Sequence, residues 1–114
     1  MSKASALAAA EVRDAAPLFA ALGDETRLRL LVRLTNSGPD SIARLSARST
    51  VSRQAITQHL KVLAGAGLVH NTRRGREQIW ELDPARLDAA HTYLHQISRQ
   101  WDDALDRLKR LVET

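Results

Sequence analysis

The stretch that decides the fold is residues 51–82, VSRQAITQHLKVLAGAGLVHNTRRGREQIWEL. In its first half, apolar side chains recur at helical spacing: Ala55, Ile56, Leu60 and Leu63. Because Ser52 is a favourable N-cap and Gly67 a favourable left-handed end, the pattern predicts a helix over residues 52–64. The second half predicts strands over residues 68–72 and 78–82.

The two predicted strands flank Arg73-Arg74-Gly75-Arg76. Gly75 supplies the backbone freedom that a tight turn needs, so the segment predicts a β-hairpin with a basic tip. The predicted fold class is therefore mainly α with a small β-hairpin, in the order helix, turn, helix, hairpin.

Ahead of this stretch, apolar spacing and caps predict three shorter helices. The first covers residues 15–22, with Pro17 in its first turn, and the second begins at Asp24 and ends near residue 35. The third is capped by Asp40 or Ser41 and turns three side chains inward, namely Ile42, Ala43 and Leu45.

After the hairpin, Asp83-Pro84 predicts the start of a last helix that reaches about residue 113. At 1.5 Å per residue it would be about 42 Å long, more than the roughly 30 Å width of so small a body. Part of its apolar stripe covers the core of its own domain, and the rest predicts a seam with the same helix, or the first helix, of a second copy. The predicted dimer-interface residues are Leu18, Leu87, His91, Leu94, Trp101, Leu105 and Leu108.

Length and composition limit the domain organisation and exclude several kinds of site. The chain has 114 residues, no cysteine and 4% aromatics. We expect one domain over residues 1–114, with a body at about 15–82 and the last helix at 84–113. The missing thiols exclude disulfides and thiolate metal sites. The sequence has no apolar run of about 20 residues, so we expect no membrane span. The alanine-rich first ten residues favour a helical or frayed N-terminal arm over a targeting signal. We therefore expect a cytoplasmic protein.

Charge is unevenly distributed along the chain. Residues 41–76 carry seven basic side chains and no Asp or Glu, which leaves −3 for the rest because the whole chain carries +4. A one-sign segment of this length favours a polyanionic partner over a chance excess of basic residues.

The predicted fourth helix has side chains suited to the DNA major groove. An arginine such as Arg53 can bond guanine, and a glutamine such as Gln54 can bond adenine, with two hydrogen bonds each, while hydroxyls can reach phosphates or base edges. The basic hairpin adds a cationic finger for the backbone or minor groove. The predicted DNA-binding residues are Ser52, Arg53, Gln54, Thr57, Gln58, Lys61, Arg73, Arg74 and Arg76.

Other functions have weaker support in the residues. His91 and His95 share a helical face with Asp88 one turn earlier, which is a weak zinc signal. His91 also falls on the apolar seam, where a hydrogen-bonded core histidine is the usual explanation. A winged-helix protein–protein adaptor is a second alternative, motivated by the long helix and its acidic flank. No phosphate loop, nucleophile elbow or isolated carboxylate pair points to an enzyme, and we expect no cofactor.

Three segments together resemble the ArsR family of bacterial winged helix-turn-helix repressors. They are LFAALGDETRLRLL at 18–31, VSRQAITQHLKVL at 51–63, and the hairpin with AGLV at 66–69 and RGR at 74–76. The resemblance covers about residues 17–82 and implies a homodimeric repressor that covers a palindromic operator. It also implies that His59 lies close to phosphate.

The sequence departs from the metal-sensing branch of that family. The cysteine pair around the third helix is replaced by Ser41-Ile42-Ala43-Arg44-Leu45, and Asp88, His91 and His95 do not reproduce the ligand pairs of the last helix. The resemblance therefore implies a regulator without a metal, with its effector unidentified.

Overall fold

The computed structural model describes residues 9–113. Its elements are α1 (Ala9–Leu22), α2 (Glu25–Ser37), β1 (Asp40–Ser41), α3 (Ile42–Ala47), α4 (Arg53–Gly65), β2 (Val69–Arg74), β3 (Glu77–Leu82) and α5 (Pro84–Glu113). The strands form one antiparallel sheet in the order β1-β3-β2. The predicted class, mainly α with a small hairpin, is confirmed; the alanine-rich start lies mostly outside the described residues.

One apolar core joins the helices to the sheet. Its largest fully buried side chains are Leu18, Leu45, Ile56, Leu60, Leu63 and Leu68. Trp80 of β3 and Ala90 of α5 complete the cluster. Burial of each large side chain contributes about 1.5–3 kcal/mol relative to exposure. The prediction that Leu18 contacts a second copy is wrong, because Leu18 is fully buried within its own protomer.

The helix ends follow the predicted capping chemistry. The side chains of Asp24, Ser41 and Ser52 each accept a hydrogen bond from a backbone N–H three residues on. These bonds satisfy donors that an uncapped helix leaves unpaired. After α4, the positive φ of 78° at Gly67 turns the chain into β2.

Two predictions about the helices are wrong in detail. Within the described residues α1 begins at Ala9, so Pro17 lies inside the helix and not in its first turn. Pro17 is exposed there, where solvent can satisfy the carbonyl that it cannot bond. Ala43 is also exposed, because only Ile42 and Leu45 of α3 turn toward the core.

The sheet differs from the prediction at both ends. The two-residue strand β1 is unpredicted, and it exists because Asp40 pairs with Trp80 and Ser41 with Ile79. The hairpin is also longer than predicted. Since Arg74 pairs with Glu77, Arg73 and Arg74 belong to β2 and the loop is only Gly75-Arg76. Gly75 alone has a positive φ in that loop, 61°, the pattern of a type II′ turn.

Helix α5 extends far beyond the body. It has 30 residues, and the radius of gyration is 18.6 Å, against about 13 Å for a compact chain of this length. Large apolar side chains lie exposed along it, and we call them the α5 stripe: Leu94, Ile97, Trp101, Leu105, Leu108 and Val112. Among residues 9–113, no helix is long and apolar enough to cross a membrane.

Helix α5 is fastened to α1 by one polar cluster. The hydroxyl of Tyr93 donates to Asp14 Oδ2 at 2.7 Å, and Arg86 Nη1 donates to the same oxygen at 3.4 Å. The Tyr93 ring also meets Phe19 edge to face, with 6.5 Å between centroids. The Tyr93 hydrogen bond, with help from Arg86, holds the pKa of the Asp14 carboxyl below its ordinary value of 3.8.

This lowered pKa predicts a pH dependence of stability. Because the carboxylate is favoured in the folded state, its contribution is complete above the ordinary pKa and is lost as the pH falls through the lower folded value. We expect the Asp14→Asn variant to have a lower Tm than the parent at pH 7, with the difference closing as the pH falls below the ordinary carboxyl value of 3.8. Thermal unfolding followed by circular dichroism between these pH values measures it.

The matched control is Asp103→Asn, an exposed carboxylate on α5. It should follow the parent at both pH values. A Tm difference for Asp14→Asn that stays constant with pH would contradict a role for the ionised carboxylate.

Candidate nucleic-acid interface

Helix α4 presents one polar face because the other face is buried. Ile56, Leu60 and Leu63 are each at most 1% exposed. Residues three and four apart share a helix face, so the remaining positions point outward. The exposed side chains of this reading face are Arg53, Gln54, Gln58 and Lys61. Two cations and two amides on one helix offer donors to phosphates and paired donor and acceptor groups to bases.

The two hydroxyls of α4 are partly occupied. Ser52 Oγ accepts from the backbone N–H of Ala55 at 3.1 Å, and Thr57 Oγ1 donates to the carbonyl of Arg53 at 2.9 Å. A hydroxyl has one donor and two acceptor sites. Ser52 therefore keeps its O–H for an anionic oxygen, whereas Thr57 keeps an acceptor for a donor on a base edge.

The hairpin β2–β3 carries the second group of cations. Arg73, Arg74 and Arg76 are exposed around the two-residue loop. Arg73 Nε donates to the Gly75 carbonyl at 3.3 Å, which holds this guanidinium against the loop backbone. The tip is thus a narrow finger whose side chains are mostly cationic.

The fold brings the hairpin and α4 to one cleft, which we call the basic cleft. Arg53 of α4 and Arg73 and Arg76 of the hairpin line it. Ser41 and Gln78 also line it, and Glu77 is the one carboxylate among its lining residues. Three guanidinium groups against one carboxylate leave the cleft net positive, and low-dielectric walls of mainly one sign focus the field on an approaching anion. Three guanidinium groups from separate elements therefore converge on one concave surface.

Two uncharged polar residues that line the basic cleft were missed by sequence reasoning. Ser41 is recognised from sequence only as a cap, and Gln78 only as a strand residue. Both reach the basic cleft through the pairing of β1 with β3. The register of that pairing is the signal that locates them, and it depends on contacts distant in sequence.

His59 does not share the reading face. Its Nδ1 lies 3.7 Å from Asp24 Oδ2 and 3.4 Å from Arg27 Nη1, at the start of α2. The backbone N–H of Arg27, together with the charges of Arg27 and His59, lowers the pKa of the Asp24 carboxyl despite its partial burial. His59 therefore joins α4 to α2, and its implied place close to phosphate stays a prediction.

Comparison with known proteins identifies the family. A model described as a helix-turn-helix domain matches residues 22–72. The HTH-type transcriptional regulator Rv2034 of Mycobacterium tuberculosis is 37% identical over 94 residues, covering 82% of this chain and 84% of the relative. An ArsR-like transcriptional regulator from Rhodococcus sp. RHA1 has a TM-score of 0.79 and 36% identity, covering 90% of this chain and 95% of that one.

The chain belongs to the ArsR family of winged helix-turn-helix regulators. The transcriptional repressor SmtB of M. tuberculosis is also similar, with 32% identity over 96 residues, 83% of this chain and 69% of the relative. The chain is therefore a DNA-binding transcriptional regulator, a class without enzymatic activity. In the terms of this fold, α3 and α4 are the helix-turn-helix and β2–β3 is the wing.

The histidines of α5 form no complete metal site in this regulator. The rings of His91 and His95 stack with centroids 6.5 Å apart. Among residues 9–113, no group of three or more His, Cys, Asp or Glu side chains is placed to hold a metal ion. His70, the third exposed histidine, pairs with Glu81 across the wing at 3.0 Å.

The cap of the reading helix gives a prediction on stability. The Ser52→Ala variant should lower the free energy of unfolding by about 1 kcal/mol, since it removes the acceptor for the Ala55 N–H. Urea unfolding measures the loss. The matched control is Ser98→Ala, within exposed α5, where alanine is the better helix former. Equal effects of the two changes would mean that the Ser52 cap does not stabilise α4.

Proposed function

We propose that this chain is a cytoplasmic transcriptional repressor that binds a palindromic operator as a homodimer. The observation that carries the proposal is the basic cleft, in which Arg53 of α4 meets Arg73 and Arg76 of the wing. A reading helix beside a cationic finger fits the major groove and the flanking backbone of one half-site. The repressor name of the similar SmtB protein supports repression as the output.

The proposal divides the cationic and amide side chains by role. Arg53, Gln54 and Gln58 read base edges, because they extend from the first turns of α4. Lys61 and the wing arginines neutralise phosphates, which fixes register and strength without reading sequence. Ser52 donates to a phosphate and Thr57 accepts from a base, as their remaining hydrogen-bond sites allow.

A DNA-binding experiment tests these roles. Duplexes selected from random fragments are titrated by fluorescence anisotropy at several salt concentrations. If a dimer neutralises about eight phosphates, log affinity should fall with log salt at a slope of about −7. Arg74→Gln should weaken every duplex about equally and reduce the slope, whereas Arg53→Gln should cost about 1–3 kcal/mol at one base pair and relax the preference there.

The control for both variants is Arg99→Gln, an exposed arginine on the side of α5 opposite the stripe. It should bind DNA like the parent. Salt-independent binding, or variants of Arg53 and Arg74 that retain parental affinity and preference, would favour the adaptor alternative.

The α5 stripe supports the homodimer. It continues beyond the body, and Trp101 at its centre is 64% exposed. A contiguous exposed stripe of this kind is typical of an interaction surface. A second α5 offers the matching apolar row, and a twofold axis would place two reading helices about 34 Å apart, on successive major grooves. Leu87 contributes less, because it is half-buried against the core.

A charge within the stripe should dissociate the dimer. We expect Trp101→Glu to raise the dimer Kd about 30-fold or more, as for a central aromatic anchor worth at least 2 kcal/mol. Sedimentation velocity over a concentration series measures the change. Arg99→Glu adds the same side chain on the opposite face of α5 and should leave the dimer intact. Monomeric parent protein at micromolar concentration would contradict the proposal.

A further inference from the structure

A second cleft lies between α2 and the connection from α3 to α4, and its lining shares no residue with the basic cleft. Its volume is about 460 Å³, within the range of small-molecule sites. The base is the outer layer of the core, formed by Leu30, Leu45 and Ile56. Half-buried Val51 lines its side. We call this the α2 cleft.

The rim of the α2 cleft carries three guanidinium groups and one carboxylate. Arg33 is held in place, since it donates to the carbonyls of Leu45 at 2.9 Å and Arg44 at 2.7 Å. Among the described residues, the Arg29 guanidinium pairs only with Glu25, at 3.4 Å, and both side chains are about four-fifths exposed. The backbone N–H of Arg48 donates to the Ser46 carbonyl, whereas its guanidinium has no hydrogen-bond or ion-pair partner among residues 9–113. Two guanidinium forks are therefore available to an anion above an apolar base.

We propose that the α2 cleft binds a small amphipathic carboxylate. Its aliphatic or aromatic body would lie on Leu30 and Val51, and its carboxylate would accept hydrogen bonds from Arg48 and Arg29. An arginine fork matches the two oxygens of a carboxylate, and a single charge-assisted pair is stronger than a neutral one. The net positive rim disfavours cationic ligands, and a neutral ligand lacks the charge-assisted hydrogen bonds that a carboxylate gains there.

The position of the cleft links occupancy to DNA binding. Its wall includes Ser49, Thr50 and Val51, which directly precede the Ser52 cap of α4, and Ile56 follows in the first turns of α4. On the other side, α2 is fixed to α1 because Arg27 Nε donates to the Ala21 carbonyl at 2.7 Å. In this proposal the ligand binds best when the connection and the start of α4 are shifted relative to α2, so occupancy lowers DNA affinity. This regulatory step rests on the proposed function, whereas the binding step does not.

Binding is tested by titrating the full chain, labelled with nitrogen-15, with octanoate and phenylacetate. The neutral comparators are 1-octanol and 2-phenylethanol. Both carboxylates should shift backbone amides near residues 26–30 and 48–52, with roughly millimolar Kd expected for ligands of this size. The Kd of each alcohol should be at least about ten-fold higher than that of the matching carboxylate, since the alcohols lack the charged group.

Variants assign the carboxylate to its partners. Arg48→Gln should raise the octanoate Kd about ten-fold, and Arg99→Gln should leave it unchanged. The proposal is overturned by equal affinity for acid and alcohol, by shifts confined to the α5 stripe, or by no shifts near the α2 cleft up to about 10 mM, well above the Kd expected for ligands of this size.

A DNA-binding measurement with and without octanoate distinguishes this inference from the proposed function. Octanoate should lower affinity for a selected duplex in the parent and not in Arg48→Gln, while Arg48→Gln without octanoate should bind that duplex like the parent. A loss of affinity in Arg48→Gln alone would assign Arg48 to a DNA phosphate and overturn the inference. If the chain binds octanoate and no DNA, only the proposed function is contradicted. If it binds DNA and no octanoate, only the inference is contradicted.

Discussion

Helix α4 buries a single face, and the packing of that face in the core determines how the helix is rotated about its axis. Ile56, Leu60 and Leu63 fill a core to which α1, α2, α3 and the sheet also contribute, so α4 cannot rotate about its axis without exposing three large side chains. At about 1.5–3 kcal/mol each, that exposure would cost much of the stability of a small domain. The outward direction of Arg53 and Gln54 is thus a consequence of core packing.

The charge of residues 41–76 is contiguous in sequence and divided in space. Arg53, Arg73 and Arg76 line the basic cleft, whereas Arg44 and Arg48 line a different surface together with Arg33. Helix α3 separates the two groups, with Ala43 toward one and Arg44 toward the other. Because exposed charges are largely screened beyond about 10 Å at 0.1 M salt, the two proposals give each group a partner at its own surface: DNA at the basic cleft and a carboxylate near Arg48.

Local chemistry was predictable from sequence, and long-range placement was not. Caps at Asp24, Ser41 and Ser52, the turn at Gly75 and the length of α5 follow from side chains within a few residues, and all are present. The pairing of β1 with β3, the burial of Leu18 and the contact of His59 with Asp24 depend on elements distant in sequence. The reading face was predicted because helical periodicity is local, and the two clefts were not, because each has walls from separate elements.

The joint between α5 and the body shows how two distant surfaces are related. Arg86 Nε donates to the Ala66 carbonyl at 3.4 Å, just after α4, while its other donors bind Asp14 of α1. A Cβ on Gly67 would lie 2.9 Å from Arg86 Cγ, so glycine at this turn allows both the positive φ and the passage of the arginine. The angle between α5 and the end of α4 is therefore set by a few atoms. In the proposed dimer, the two α5 helices meet and that angle sets the distance between the two reading helices, so a shift at this joint changes their spacing without altering the reading face.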